Sequence, residues 1–391
     1  MLKICAQNVY LLRAQDCALT SYSDDLFRPG YDVSSSGVTR DCFCVRPEAA
    51  LHNVNTLRYF ATALLVAFHV VGASETGGMQ VGYPSVWRMF ADGLIDVRMP
   101  LFAFIAGAVY ALRPLLLSDI SGFCTGKFYR IVLPGIAASV IFLVICNLVL
   151  KNGFAYGADP LSAVLLSMGH FWFLQAILII FLVVGGLDAL LRYRAAALLF
   201  AGAVGLTLVR SALPLPALQY LMIDGAVYLA PYFLLGMLLF RHHAWVAARK
   251  QIIVPVALGL FGIGLAMNIA FYQETGHLSQ IRFDAQSLAQ GIGIILLAQL
   301  LFPRVALLDR LAVFSFTIFL YHPFGTAAVS RSLTYLEVDA LSLHFVLGLV
   351  AGLVVPCLIH LLAARSDWSR RLILGLRPIG SVPLNATRKT L

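Results

Sequence analysis

The stretch NVNTLRYFATALLVAFHVVGAS, residues 53–74, sets Arg58 and His69 eleven residues apart in an otherwise apolar run. Eleven residues are about three turns of α-helix, so both side chains fall on one face, about 16 Å apart along the axis. Asn55, Thr62, Leu65 and Gly72 share that face, whereas Phe60, Leu64, Val66, Phe68 and Val71 lie elsewhere. A polar stripe on an apolar helix looks toward the protein interior or a wet cavity, and ionisable groups there commonly bind ions or move protons. The plainer readings are an Arg58 that snorkels to the interface and a His69 hydrogen-bonded to a neighbouring helix.

Further ionisable residues fall in or near apolar runs. ADGLIDVRMPLFAFIAGAVYALRP carries Asp92, Asp96 and Arg98. Arg98 either pairs with one of these aspartates or binds an anionic or polarised group of a substrate, and an aspartate is a candidate to orient His69. Pro100 and Gly107 permit local distortion and close helix approach. In SGFCTGKFYRIVLP, Lys127 and Arg130 are three apart and share a helical face. They either mark a cytoplasmic loop or hold phosphate. GHFWFLQAILI places His170 and Trp172 where an interfacial aromatic belt is expected. SFTIFLYHPFG places His322 at a depth close to that of His69, beside a proline that frees a backbone carbonyl; a core histidine is the plain alternative.

These residues need helices to hold them. The chain has 391 residues, 60% of them hydrophobic and 12% charged, too little polar surface for a soluble domain. Apolar runs near the ~20 residues that cross a bilayer recur at about 54–74, 92–112, 131–150, 171–190, 195–213, 221–240, 252–272, 285–303, 311–330 and 343–364. The predicted fold is all-α, a polytopic membrane protein of about ten transmembrane helices with both termini cytoplasmic. Loop charges support it: 21 Lys and Arg fall on the side assigned to the cytoplasm, against Arg88, Lys151, Arg210, Arg282 and Arg331 on the other, as the positive-inside rule requires. Residues 1–52 are predicted to be a polar, poorly ordered extension rather than a leader peptide, 53–364 the membrane domain, and 365–391 a basic cytoplasmic tail.

The net charge of +9 then reflects topology, not nucleic-acid binding. Seven cysteines without a CxxC pair indicate neither a disulfide framework nor a metal site. No Walker A loop, GxSxG or HExxH occurs, so no nucleotide-driven transport is expected of this chain alone.

LRYFATALLVAFHV resembles the first-helix signature of the membrane acyltransferase type 3 family, with Arg58 and His69 as its Arg-x10-His pair. RMPLFAFIAGAVYA resembles the second-helix motif, with Ala106 where Ser is usual. KFYRIVLP resembles the Arg-x-x-Arg-Ile-x-x-Pro segment, with Lys127 in place of an arginine. FWFLQAI, YFLLGMLLF and YHPF resemble later segments, and the resemblance covers about residues 51–364. It implies an O-acyltransferase that moves an acyl group, usually acetyl, from cytoplasmic acyl-CoA to a hydroxyl of an envelope or secreted carbohydrate. Acyl-CoA is then a co-substrate, no cofactor is held permanently, and proteins that build the polysaccharide are natural partners in an inner membrane. On this reading His69 is a general base or a transient acyl carrier. Arg58 binds a CoA phosphate or polarises the thioester. Lys127 and Arg130 hold CoA phosphates, while Arg98, Asp96, Asp92, Trp172 and His322 line or orient the acceptor side. A proton-coupled transporter or flippase, and a non-catalytic assembly factor of the same fold, are the rival readings.

Overall fold

The computed structural model describes residues 53–150, 169–213 and 220–376; the extension 1–52 and residues 377–391 lie outside the described residues. The described residues belong to one unit, within Glu48–Leu391, which carries all that follows. Its described residues form helices and no strand, because a chain in lipid must satisfy its backbone within each segment. The helices are α1 (Val54–Val71), α2 (Val86–Gly93), α3 (Ile95–Leu112), α4 (Ile120–Lys127), α5 (Leu133–Leu150), α6 (Trp172–Leu190), α7 (Ala196–Ala212), α8 (Ile223–Arg241), α9 (His243–Ala248), α10 (Lys250–Thr275), α11 (Ala285–Leu301), α12 (Ala306–Leu311), α13 (Ser315–Tyr335), α14 (Leu341–Ala363) and α15 (Asp367–Leu372). Eight helical stretches are long and apolar enough to cross a membrane, and two apolar helices of 17 residues, α7 and α11, stand where the fifth and eighth spans are expected.

α1 is the hub. It packs against α3, α13 and α14, so the face that carries Arg58 and His69 looks into the bundle. At its start the Asn53 carboxamide donates to the Gln299 and Phe302 carbonyls at the end of α11, at 3.2 and 3.0 Å. That bond satisfies carbonyls a helix end leaves unpaired and sets α1 antiparallel to α11. On its far side Val66 and Val70 fill the notches left by Gly352 and Gly348 of α14, a small-x-x-x-small contact of the kind that joins membrane helices.

α3 and α8 touch backbone to backbone. A Cβ added at Gly107 would lie 1.8 Å from the Phe233 carbonyl oxygen, and one added at Gly236 would lie 2.0 Å from that of Phe104. Gly107→Ala is therefore expected to force the pair apart, at the ~1–3 kcal/mol or more typical of overpacking. Thermal aggregation of the purified chain in detergent should begin at lower temperature for Gly107→Ala and unchanged for Gly259→Ala, where the added methyl meets open space.

Short connections carry unusual backbone. Only LRYRA separates α6 from α7, and the reversal is made by consecutive left-handed residues, Arg192 (φ 53°) and Tyr193 (φ 60°). The Tyr193 hydroxyl fixes it by donating to the Leu115 carbonyl at 2.8 Å. A π-helical turn, Phe128–Val132, joins α4 to α5. After α14 the chain folds back: Leu374 is buried, and a Cβ on Gly375 would lie 3.1 Å from the carbonyl oxygens of Tyr129 and Arg130. The first part of the basic tail thus rests on the π turn.

Candidate active site

Three helical elements bring three imidazoles together. His69 comes from α1, His170 from the single turn Gly169–Phe171 ahead of α6, and His322 from α13. Ring centroids are 4.8 Å apart for His69 and His322, 4.9 Å for His170 and His322, and 6.1 Å for His69 and His170. His322 is wholly buried and His170 nearly so, while His69 is partly open. His69 makes no hydrogen bond to protein among the described residues. It is therefore the imidazole with both nitrogens available and a surface that another molecule can reach.

Arg98 completes the cluster. It is buried, and its guanidinium lies 3.5 Å from the centre of the Phe68 ring, one residue before His69. No carboxylate comes within salt-bridge distance of it among the described residues, so of the two alternatives for Arg98 the pair with Asp92 or Asp96 does not form. Asp92 is held by Arg88 at 2.7 Å and by the Tyr83 hydroxyl at 2.8 Å. The reason is local. The helix begins at Val86, earlier than the apolar run suggests, which puts Arg88 and Asp92 at i, i+4. Asp96 accepts a hydrogen bond from the Ser287 hydroxyl. Neither aspartate hydrogen-bonds His69, so the orienting role considered for them has no contact behind it.

Trp172 lies on the same side of the bundle, half-buried. Its ring packs over Gly225 of α8, and the Arg282 guanidinium stands 5.5 Å from it and 5.9 Å from the ring of Tyr228. The loop above is pinned through Tyr83, whose hydroxyl also accepts from the Leu278 amide at 3.0 Å. Burial and the neighbouring Asp92 carboxylate push the Tyr83 phenol up to about 12, so it stays a donor at any physiological pH.

The other predicted residues stand apart from the cluster. Arg58 is half-buried three turns away on α1 and forms no salt bridge with a carboxylate among the described residues; its carbonyl accepts from the Thr62 hydroxyl at 2.8 Å. Lys127 turns inward, with its ammonium 3.3 Å from the centre of Phe181 and 4.9 Å from that of Phe123. Arg130 is exposed. The π turn, with its i→i+5 bonding, moves Arg130 off the face that it and Lys127 would share in a regular helix. Lys127, Phe128, Tyr129, Leu178 and Leu182 line an open groove of about 470 Å³. A phosphate in that groove would have to draw Lys127 away from Phe181.

Two features were not singled out from the sequence as functional. By sequence His170 falls near the boundary of a span. Its Nε2 lies 3.2 Å from the Leu320 carbonyl, a contact that no local spacing announces. The second is a buried ion pair: Asp188, with no exposed surface, takes both arms of Arg241 at 2.7 and 2.6 Å and the Tyr110 hydroxyl at 2.9 Å. It ties the ends of α3, α6 and α8 together. An aspartate inside an otherwise apolar run was the available signal.

Chemically, the cluster offers an accessible imidazole, two hydrogen-bonded imidazoles behind it and a buried guanidinium. That set can take a proton from a hydroxyl and stabilise negative charge that develops on a neighbouring oxygen. Among the described residues no group of three His, Cys, Asp or Glu side chains is placed to hold a metal ion.

The sequence profile of an acyltransferase domain matches residues 51–361, from just before α1 almost to the end of α14. No curated protein and no solved structure matches. With the profile covering most of the chain and ending where the helical bundle ends, the chain belongs to the membrane acyltransferase type 3 family.

Proposed function

We propose that this protein transfers an acyl group, acetyl in the simplest case, from acyl-CoA in the cytoplasm to a hydroxyl of a carbohydrate on the far side of the membrane. The observation that carries the reading is one polar stripe: Arg58 at one end of α1, and His69 at the other end beside Arg98, His170 and His322. The loop charges favour ten spans with the Arg58 end inside. Arg58 then meets the donor and His69 the acceptor.

The steps follow from where the groups lie. His69 removes the proton from the acceptor hydroxyl, whose oxygen attacks the thioester carbonyl. The carbonyl oxygen becomes an oxyanion beside the Arg98 guanidinium. Collapse breaks the carbon–sulfur bond, the ester remains on the sugar, and the CoA thiolate takes the proton back from His69. Arg58, about 16 Å from His69 along the helix, is too distant to polarise the same carbonyl and instead binds an anionic part of CoA. Lys127 and Arg130 serve the phosphates at the inner mouth. Trp172 and Arg282 present a flat apolar ring and a hydrogen-bonding fork, a combination suited to a sugar ring.

Membrane vesicles that contain the native acceptor test the reading. Radiolabel from acetyl-CoA should enter an alkali-labile ester on the glycan only when the protein is present. Uptake or export of glycan without acyl-CoA, and without ester formation, would show transport instead. In the same assay Arg58→Ala should lower kcat/KM for acetyl-CoA roughly 10–100-fold, the ~1.5–3 kcal/mol of a charged hydrogen bond, mainly through KM. A loss of protein from the membrane, with normal kinetics for what remains, would make Arg58 an interface anchor.

A further inference from the structure

In the acyl-transfer scheme His69 is the base, yet among the described residues no aspartate holds its ring. We infer that His322 does so: it is a positioning residue whose Nε2 accepts a hydrogen bond from His69 and leaves the other His69 nitrogen free to take the acceptor's proton. This role presupposes the acyl-transfer reading above, although the pairing itself can be tested without it.

The local sequence dictates which nitrogen of His322 carries its proton. Pro323 has no N–H, so the Phe319 carbonyl four residues earlier lacks its helical donor. His322 Nδ1 lies 3.1 Å from that oxygen and 3.0 Å from the Ile318 oxygen. Only an N–H can serve two carbonyls, so the proton sits on Nδ1 and Nε2 keeps its lone pair. That Nε2 is buried without a partner among the described residues, a situation that native proteins rarely leave unanswered.

The neighbours narrow the donor. His170 meets the Leu320 carbonyl through one nitrogen, and only an N–H can serve a carbonyl, so that N–H is already committed. Asp92 and Asp96 are held by Arg88, Tyr83 and Ser287. His69 is the imidazole with a free N–H, and its ring is the nearest to His322, at 4.8 Å. Arg98 is another unpaired donor near the cluster among the described residues. Its guanidinium lies against the Phe68 ring, and Arg98 is the group needed for the oxyanion.

A neutral acceptor has an advantage here. A carboxylate in the place of His322 would pair with Arg98 and cancel its charge. An imidazole lone pair orients His69, accepts the N–H of its protonated form, and leaves the guanidinium free for the oxyanion.

Two substitutions separate positioning from a purely structural role. Gln places an acceptor where Nε2 lies but gives up the tie to the backbone. Asn retains a donor where Nδ1 lies but removes the acceptor. In vesicles with labelled acetyl-CoA, His322→Asn should lower kcat about 10²-fold, in the range of a disturbed general base, with KM for acetyl-CoA within about twofold. His322→Gln should stay within about fivefold of wild type. Activity kept by Asn and lost by Gln would make His322 a brace for the Pro323 kink and overturn the role, as would equal activity in both variants.

The second measurement is nitrogen-15 histidine NMR on the purified chain. It should show His322 in the Nδ1–H form and a hydrogen-bonded His69 N–H that disappears in His322→Asn. An Nε2–H form of His322 in the wild type would overturn the inference whatever the activity. If wild-type vesicles incorporate no label while the NMR signature is present, the acyl-transfer reading fails and the His69–His322 pair stands.

Discussion

His69→Ala is expected to reduce ester formation on the glycan by roughly 10²–10⁴-fold, the usual contribution of a positioned general base, while the protein accumulates in the membrane at its normal level. The second half of the expectation is as structural as the first. The His69 ring is partly open, so its removal opens little closed volume. Acetyl-CoA should still bind, because Arg58 and the inner mouth are three turns away. Mass spectrometry of glycan from cells carrying the variant reads the ester directly, and immunoblotting of membranes reads the protein. Wild-type ester levels at wild-type expression would remove His69 from the chemistry.

Arg98→Gln should produce the next largest loss, about 10²–10³-fold in kcat, the scale measured when one oxyanion donor is deleted elsewhere. Glutamine is the informative choice, since it fills much of the space against Phe68 and removes only the charge. Arg98→Lys should recover little. Its ammonium is a point charge on a flexible stem and cannot stack on Phe68 as the planar guanidinium does. If Arg98 stabilises the oxyanion, kcat falls and KM for both substrates stays near its wild-type value. If it instead grips an anion on the acceptor, KM for the acceptor rises and kcat is kept. Steady-state kinetics on vesicles with varied acceptor loading separate the two results.

Much of this site could be read before any coordinates. The eleven-residue spacing of Arg58 and His69 survives because α1 is a regular helix whose polar face is enclosed by α3, α13 and α14. Gly107 as a point of close approach was legible from composition alone. Asn55, placed on the inward face by periodicity, is exposed instead; it lies in the first turn, at the edge of the bundle. Contacts between helices were not legible. Asp92 belongs to Arg88 because α2 starts at Val86 and stops at Gly93, a break that hydropathy does not mark. Lys127 faces Phe181 across a helix boundary, and the π turn after it changes the face on which Arg130 lies. His170 and His322 are 152 positions apart in the numbering yet meet near the Pro323 kink.

In the acyl-transfer scheme proposed above, the distance between Arg58 and His69 has a consequence for which donors can serve. α1 is a rigid rod, so the two groups form a fixed gauge of about 16 Å. A thioester whose charged anchor lies too close to its sulfur can occupy one mark or the other, never both. Short thiol carriers such as an acetylated cysteamine would then reach His69 only without the grip of Arg58, and a donor with a long, slender arm ending in phosphates would be selected by length as much as by charge. Selectivity of this kind is written into the number of residues between two side chains rather than into the shape of a pocket.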